Sequence, residues 1–143
     1  MYKRQDYEYE IGKAITVLDG SDISLIASGP SVYWSLMAAK ELTKRGIHAR
    51  VIDMHTIKPF DAEMVVKCAK ETGAILTVED HSINGGLGGA VAEVLAEANV
   101  PCKFKRAGLP DQFSVLGSPE EVYKYYHLDP PGIADTAEAL LKK

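Results

Sequence analysis

This sequence of 143 residues has few cysteines, no long apolar run and no excess of basic charge. The two cysteines, Cys68 and Cys102, lie far apart, form no metal or redox motif and indicate reduced thiols. The longest apolar runs are too short to span a bilayer, and the N-terminus lacks the apolar core of a signal peptide. A net charge of −4 argues against nucleic acid as a partner. We therefore expect a cytoplasmic protein without membrane or nucleic-acid partners.

Apolar runs that alternate with helical periodicities predict a layered α/β fold. Residues 23–27 are almost continuously apolar, which is typical of a strand buried on both faces. Further strands are predicted at residues 14–18, 47–54, 74–78 and 101–106. About five helices lie between and after these strands, and the short connections favour a mostly parallel sheet covered on both faces.

Several residues carry start and stop signals for these helices. Asp61 and Ser118 are predicted N-caps, and Ser118 begins a capping box with proline at the first helical position. Gly46 is predicted to end a helix at the position where a left-handed C-cap is common, and the next helix is predicted to end at Gly73. Ser28 is also predicted as a cap, because it does not stand in the G-x-S-x-G context of a nucleophile.

The most unusual stretch is residues 79–90, EDHSINGGLGGA, which follows a predicted strand and begins a helix. Ligands in open α/β sheets usually bind at this position, and a helix N-terminus can hold an anion. A phosphate or dinucleotide loop is one interpretation, but the third glycine of G-x-G-x-x-G would fall at Val91. We favour a close structural contact in which Gly85, Gly86 and Gly88 leave no room for side chains.

The charged residues before these glycines suggest no catalytic centre. Glu79 and Asp80 are adjacent on a strand, so their side chains are expected to point to opposite faces. His81 has no second histidine at helical spacing, which argues against a metal site, but it could hydrogen-bond across an interface. We therefore predict no catalytic, cofactor-binding or metal-binding residue in this chain, and an interface or structural role for the whole loop.

Five segments, taken together, resemble the C-terminal domain of transketolase-type enzymes. They are residues 6–14 (DYEYEIGKA), 26–30 (IASGP), 54–61 (MHTIKPFD), 77–88 (TVEDHSINGGLG) and 108–113 (GLPDQF). They occur in the family's order and cover nearly the whole chain. The family includes transketolase, 1-deoxyxylulose-5-phosphate synthase and the beta subunits of 2-oxoacid dehydrogenases, and the His81 loop is most similar to transketolases split into two subunits.

The resemblance implies a three-layer α/β/α sandwich with a mixed five-stranded sheet, whose antiparallel edge strand would be residues 14–18. Residues 1–12 would be an approach segment and residues 13–143 the domain. The parent enzyme would use thiamine diphosphate and Mg²⁺, bound by two other domains, to transfer a two-carbon ketol unit in the pentose phosphate pathway. This chain would bind neither, and would support packing and a homo-oligomer such as a dimer.

Two rival functions stay open at this point: a free-standing flavodoxin-like module whose glycine loop holds an anion, and a domain that binds a lipoyl-enzyme partner. If the domain normally packs against others, the isolated chain should expose an apolar patch and self-associate. Ile83, Leu87 and Phe113 are the predicted members of that patch.

Overall fold

A mixed five-stranded sheet forms the middle layer of the computed structural model, which describes residues 9–142. The strands are β1 (Ile15–Leu18), β2 (Ile23–Ala27), β3 (Ala49–Asp53), β4 (Ala74–Ser82) and β5 (Lys103–Leu109). Their order is β1-β3-β2-β4-β5. β1 is antiparallel to β3 at one edge, whereas all other neighbours are parallel. The predicted mixed sheet and its antiparallel edge strand are confirmed.

Helices cover both faces of this sheet, as predicted. They are α1 (Pro30–Lys44), α2 (Ala62–Thr72), α3 (Leu87–Ala98), α4 (Pro119–Tyr125) and α5 (Pro130–Leu141). One apolar core packs α1 and α5 against the sheet, and a second packs α2 and α3 against the opposite face. β2 serves both cores, because Leu25 belongs to the first and Ile26 to the second. All residues of β2 are buried, in agreement with its apolar sequence.

Most of the predicted helix ends are confirmed. The Asp61 carboxylate accepts the backbone N–H of Met64 at 3.0 Å, and Gly73 ends α2 with a φ of 65°. Ser118 and Glu121 form the predicted capping box. The prediction for Ser28 is wrong: the N-cap of α1 is Gly29, and no side chain caps this helix.

Two strands differ from the sequence prediction. β4 is longer than predicted and continues through Glu79, Asp80 and His81. Its last residue, Ser82, pairs with Leu109 of β5, which is also longer than predicted. β3 is shorter than predicted and begins at Ala49. In α1 the half-buried Val32 and Leu36 flank the buried face, and in α3 Ala98 is exposed. The buried positions of α1 are Ser31, Ser35, Ala38, Ala39 and Leu42.

The four parallel strands end at one edge of the sheet, here called the carboxyl edge. It carries residues 28–30, 54–61, 83–86 and 110–118, which follow β2, β3, β4 and β5. Both cysteines are free, as predicted. Within residues 9–142 no helix is long and apolar enough to cross a membrane. The predicted approach segment, residues 1–12, lies largely outside the described residues, so its boundary stays a prediction.

Candidate functional site

The glycine loop is built around one buried carboxylate, that of Glu79. Glu79 lies on β4, on the face that packs against α2 and α3, and is only 2% exposed. Its Oε1 accepts the backbone N–H of Gly88 at 2.9 Å. The first N–H groups of a helix have no partner within the helix and carry partial positive charge. Glu79 therefore acts as an internal anion at the N-terminus of α3.

The glycines around Glu79 have different structural roles. A Cβ added to Gly86 would collide with Oε2 of Glu79 and lie 3.2 Å from the carbonyl oxygen of Ser82. A Cβ on Gly88 would lie 2.7 Å from Cγ of Arg106 and 2.8 Å from Oε1 of Glu79. Gly85 has a φ of 76°, a conformation that side-chain-bearing residues rarely adopt. This geometry supports the structural interpretation of the loop.

Asp80 points away from Glu79 and belongs to a separate contact. Its Oδ2 accepts the hydroxyl of Tyr123, on α4, at 2.6 Å, and this hydrogen bond raises the pKa of the Tyr123 phenol. Glu79 and Asp80 therefore have different partners on opposite sides of β4, as their adjacent positions on a strand predicted. The two side chains thus make separate hydrogen bonds, one to α3 and one to α4.

His81 and Arg106 occupy the outer part of the loop. His81 is exposed, and its Nδ1 lies 3.0 Å from the carbonyl oxygen of Ser82. Arg106, on β5, donates from Nη1 to the carbonyl oxygen of Ile83 at 2.7 Å and so fixes the chain after β4. The interface role of His81 stays a prediction, since no partner chain is present.

A cavity of about 420 Å³ opens beside the loop at the carboxyl edge. Its walls are formed by Ser28, Gly29, Pro30, Ile57, Glu79, Asp80, His81, Gly85, Gly86 and Leu87. The N-termini of α1 and α3 border it, but Glu79 already occupies the polar end of α3 and its charge would repel a phosphate. Residues 9–142 contain no cluster of three or more metal-ligating side chains.

Comparison with known proteins shows to which family the chain belongs. Residues 12–133 match the sequence profile described as "Transketolase, C-terminal domain". The chain belongs to this family. Within it, the chain is 46% identical over 143 residues to a subunit of the apulose-4-phosphate transketolase of Phocaeicola vulgatus, covering 100% of this chain and 45% of that protein. It is 38% identical over 131 residues to 1-deoxy-D-xylulose-5-phosphate synthase of Symbiobacterium thermophilum, covering 92% and 20%.

Solved structures agree with this assignment. A structure titled "Split gene transketolase, inactive beta4 tetramer" superposes with a TM-score of 0.88 at 36% identity, covering 96% of this chain and 45% of that chain. Transketolase from Leishmania mexicana, at 20% identity and a TM-score of 0.67, shares the fold. The chain thus spans about half the length of the split transketolases it matches.

The structure brings only some of the predicted loop residues into contact with one another. Glu79 contacts both Gly86 and Gly88, whereas His81 faces solvent. Leu87 was predicted to be exposed, and this is wrong: it is 2% exposed because it begins α3 and packs into the second core. The sequence analysis missed Arg106, since its contact with the loop depends on the pairing of β4 with β5.

Proposed function

We propose that this chain is the C-terminal, non-catalytic part of a thiamine-diphosphate-dependent transketolase, which transfers a two-carbon ketol unit between sugar phosphates. The observation that carries the non-catalytic role is the hydrogen bond from Gly88 to Glu79, which fills the helix N-terminus with a side chain of the protein itself. Thiamine diphosphate, bound elsewhere in the assembly, supplies the carbanion-stabilising chemistry. The identity of 46% to part of a known transketolase supports this choice of reaction.

Two other assignments have less support. The synthase relative is 38% identical, against 46% for the transketolase relative. A free-standing module that binds an anion in the glycine loop would have to displace Glu79 from the N-terminus of α3. The proposal also implies a partner that carries the diphosphate- and pyrimidine-binding domains, and a homo-oligomer. A cytoplasmic location and a place in the pentose phosphate pathway remain predictions.

A chimeric enzyme tests the proposed reaction. This chain replaces the segment that it matches in the Phocaeicola vulgatus relative, which is one subunit of its enzyme. The chimera is combined with the rest of that enzyme and assayed for two-carbon transfer from apulose 4-phosphate, the compound in that relative's name. We expect the chimera to keep a substantial part of the relative's activity. A soluble chimera that binds thiamine diphosphate but transfers no ketol unit would contradict the assignment to transketolase.

The isolated chain provides the complementary measurement. Calorimetric titration with thiamine diphosphate and Mg²⁺ should show no saturable binding, because Glu79 fills the one helix N-terminus that the glycine loop offers. Titration with inorganic phosphate should give the same result. Saturable binding of either ligand in the micromolar range would favour the free-standing module instead.

A further inference from the structure

A small cavity between α1, α4 and the start of α5 has two aromatic walls. Its volume is about 290 Å³, and it is lined by Trp34, Glu120, Tyr123, Lys124 and Asp129. The rings of Trp34, on α1, and Tyr123, on α4, have centroids 6.1 Å apart and are tilted by 57°. Both side chains pack against the first core, which holds them in place. Rings at this angle do not stack face to face, so they form an open corner.

Two carboxylates line the same cavity. Asp129 is the N-cap of α5: its Oδ1 accepts the backbone N–H of Gly132 at 3.1 Å and offsets the positive end of that helix. Its other oxygen, Oδ2, accepts no hydrogen bond from residues 9–142. Glu120 is exposed and forms no ion pair within those residues. Both carboxylates therefore keep acceptor oxygens that a ligand can use.

A third carboxylate acts on the aromatic wall itself. Asp80 accepts the hydroxyl of Tyr123 at 2.6 Å. This hydrogen bond polarises the phenol and makes the face of its ring more negative, which strengthens its attraction for a cation. Lys124 is the positively charged residue of the lining, but it is exposed and forms no ion pair with Glu120 in the described part of the chain. The negative charges thus outnumber the positive one.

The chemistry of these walls selects the ligand. Aromatic faces attract organic cations, and the carboxylates supply the counter-charge. A metal ion would not suit the cavity, because residues 9–142 hold no group of three or more metal-ligating side chains. Pockets for drug-sized ligands have volumes of about 300–1,000 Å³, so this one suits a ligand of a few heavy atoms. An alkylammonium ion meets each condition, since its carbon atoms can contact the rings while its charge lies beside the carboxylates.

We propose that this cavity binds a small organic ammonium ion, with Trp34 and Tyr123 as its walls and Glu120 and Asp129 as the counter-charges. The inference goes beyond the proposed function and does not depend on it. It assigns a ligand class to a cavity for which the proposed transketolase role has no use.

The fluorescence of Trp34 tests the site directly, because this is the only tryptophan of the chain. Choline is titrated at constant ionic strength. The matched control ligand is 3,3-dimethylbutan-1-ol, in which a neutral tert-butyl group replaces the trimethylammonium group. We expect a saturable change with choline at a Kd on the order of 1 mM, and at least tenfold weaker binding of the alcohol.

Two charge variants show whether the effect belongs to this cavity. Glu120→Gln/Asp129→Asn removes both counter-charges, and asparagine can still cap α5. This variant should weaken choline binding at least fivefold and leave the binding of the alcohol unchanged. Glu93→Gln/Glu97→Gln is the charge-matched control, because these exposed residues lie on α3, at the opposite face of the sheet. It should change the Kd for choline less than twofold.

Two variants of Tyr123 test the aromatic wall. Tyr123→Leu should weaken choline binding at least fivefold, whereas Tyr123→Phe keeps the ring and should weaken it less. Equal weakening by these two variants would contradict the role of the ring. A Tyr123→Leu variant that does not fold leaves the decision to the charge variants, which change no apolar side chain.

Three results would overturn the proposal as a whole. The first is no saturable change of fluorescence with choline. The second is equal affinity for choline and for the neutral alcohol, since the cavity would then be a site for apolar groups. The third is equal weakening by the two charge variants, because the effect would then follow the net charge of the protein and not the cavity.

Discussion

Replacing Gly88 by alanine, with the same change at Gly89 as the control, tests the structural account of the glycine loop. Both residues lie in the first turn of α3, so the two changes are chemically identical and one position apart. A Cβ at Gly88 would lie within 2.7–2.8 Å of Arg106 and Glu79, whereas a Cβ at Gly89 meets no atom within 4 Å. The added methyl group should therefore be harmful at one position and harmless at the other.

The expected free energies follow from this difference. Overpacking a well-filled site costs about 1–3 kcal/mol. The neighbours of Gly88 cannot move freely, because the Arg106 guanidinium is bound to Ile83 and the Glu79 carboxylate to Gly88 itself. Alanine in a helix gains roughly 0.5–1 kcal/mol over glycine, and at Gly89 nothing opposes that gain. The helix gain is common to both positions, so with a urea m-value of about 2 kcal/mol/M the midpoints of the two variants should differ by about 0.5–1.5 M.

Urea unfolding followed by circular dichroism measures both midpoints. Gly88→Ala should unfold at lower urea than the parent protein, and Gly89→Ala at the same or higher urea. The double variant Gly88→Ala/Arg106→Ala should recover part of the loss, since the colliding stem of Arg106 is removed. Equal midpoints for Gly88→Ala and Gly89→Ala would refute the close contact on which the interpretation of the loop depends.

Three further changes test the polar contacts. Glu79→Ala leaves the N–H of Gly88 buried without an acceptor and should lower the free energy of unfolding by about 1–3 kcal/mol, whereas Glu79→Gln should lower it less. Asp61→Ala removes the cap of α2 and the acceptor of the Ala14 N–H, so urea titration should again show a loss of about 1–3 kcal/mol. Burial raises the pKa of Asp53, so the folded state holds this proton more tightly than the unfolded state and stability falls as pH rises from 3.8 through the folded pKa. Asp53→Asn should remove this dependence and raise the urea midpoint at neutral pH.

The elements that the sequence predicted well are those governed by local rules. The apolar run of β2, the Asp61 cap and the helix end at Gly73 each depend on residues within one strand or one helix turn. The strand order could not be predicted, because it depends on pairings between distant segments. The extension of β4 was missed for the same reason: the polar residues 79–82 look like a loop until Leu109 is known to pair with Ser82.

In the candidate site, too, some features follow from local rules and others depend on contacts between distant segments. Strand alternation separated Glu79 from Asp80 correctly, but the rule applies only because β4 extends beyond the predicted strand 74–78. The burial of Glu79 had no local signal, because a carboxylate at the end of a strand is more often exposed. Its neighbour Arg106 belongs to β5 and contacts the loop only through the long-range sheet. The sequence could therefore locate the loop but not the side chains that close it.

The ambiguity of the glycine motif has a specific physical origin. A loop that binds a phosphate and a loop closed by its own carboxylate both bring an oxyanion close to the first N–H groups of a helix. Both need glycines, because a Cβ at these positions would occupy the space of the oxyanion. Here the oxyanion is Glu79, nine residues before the N–H that it accepts from Gly88. A glycine-rich helix start therefore indicates an external anion only when no acidic side chain of the preceding strand can reach that helix end.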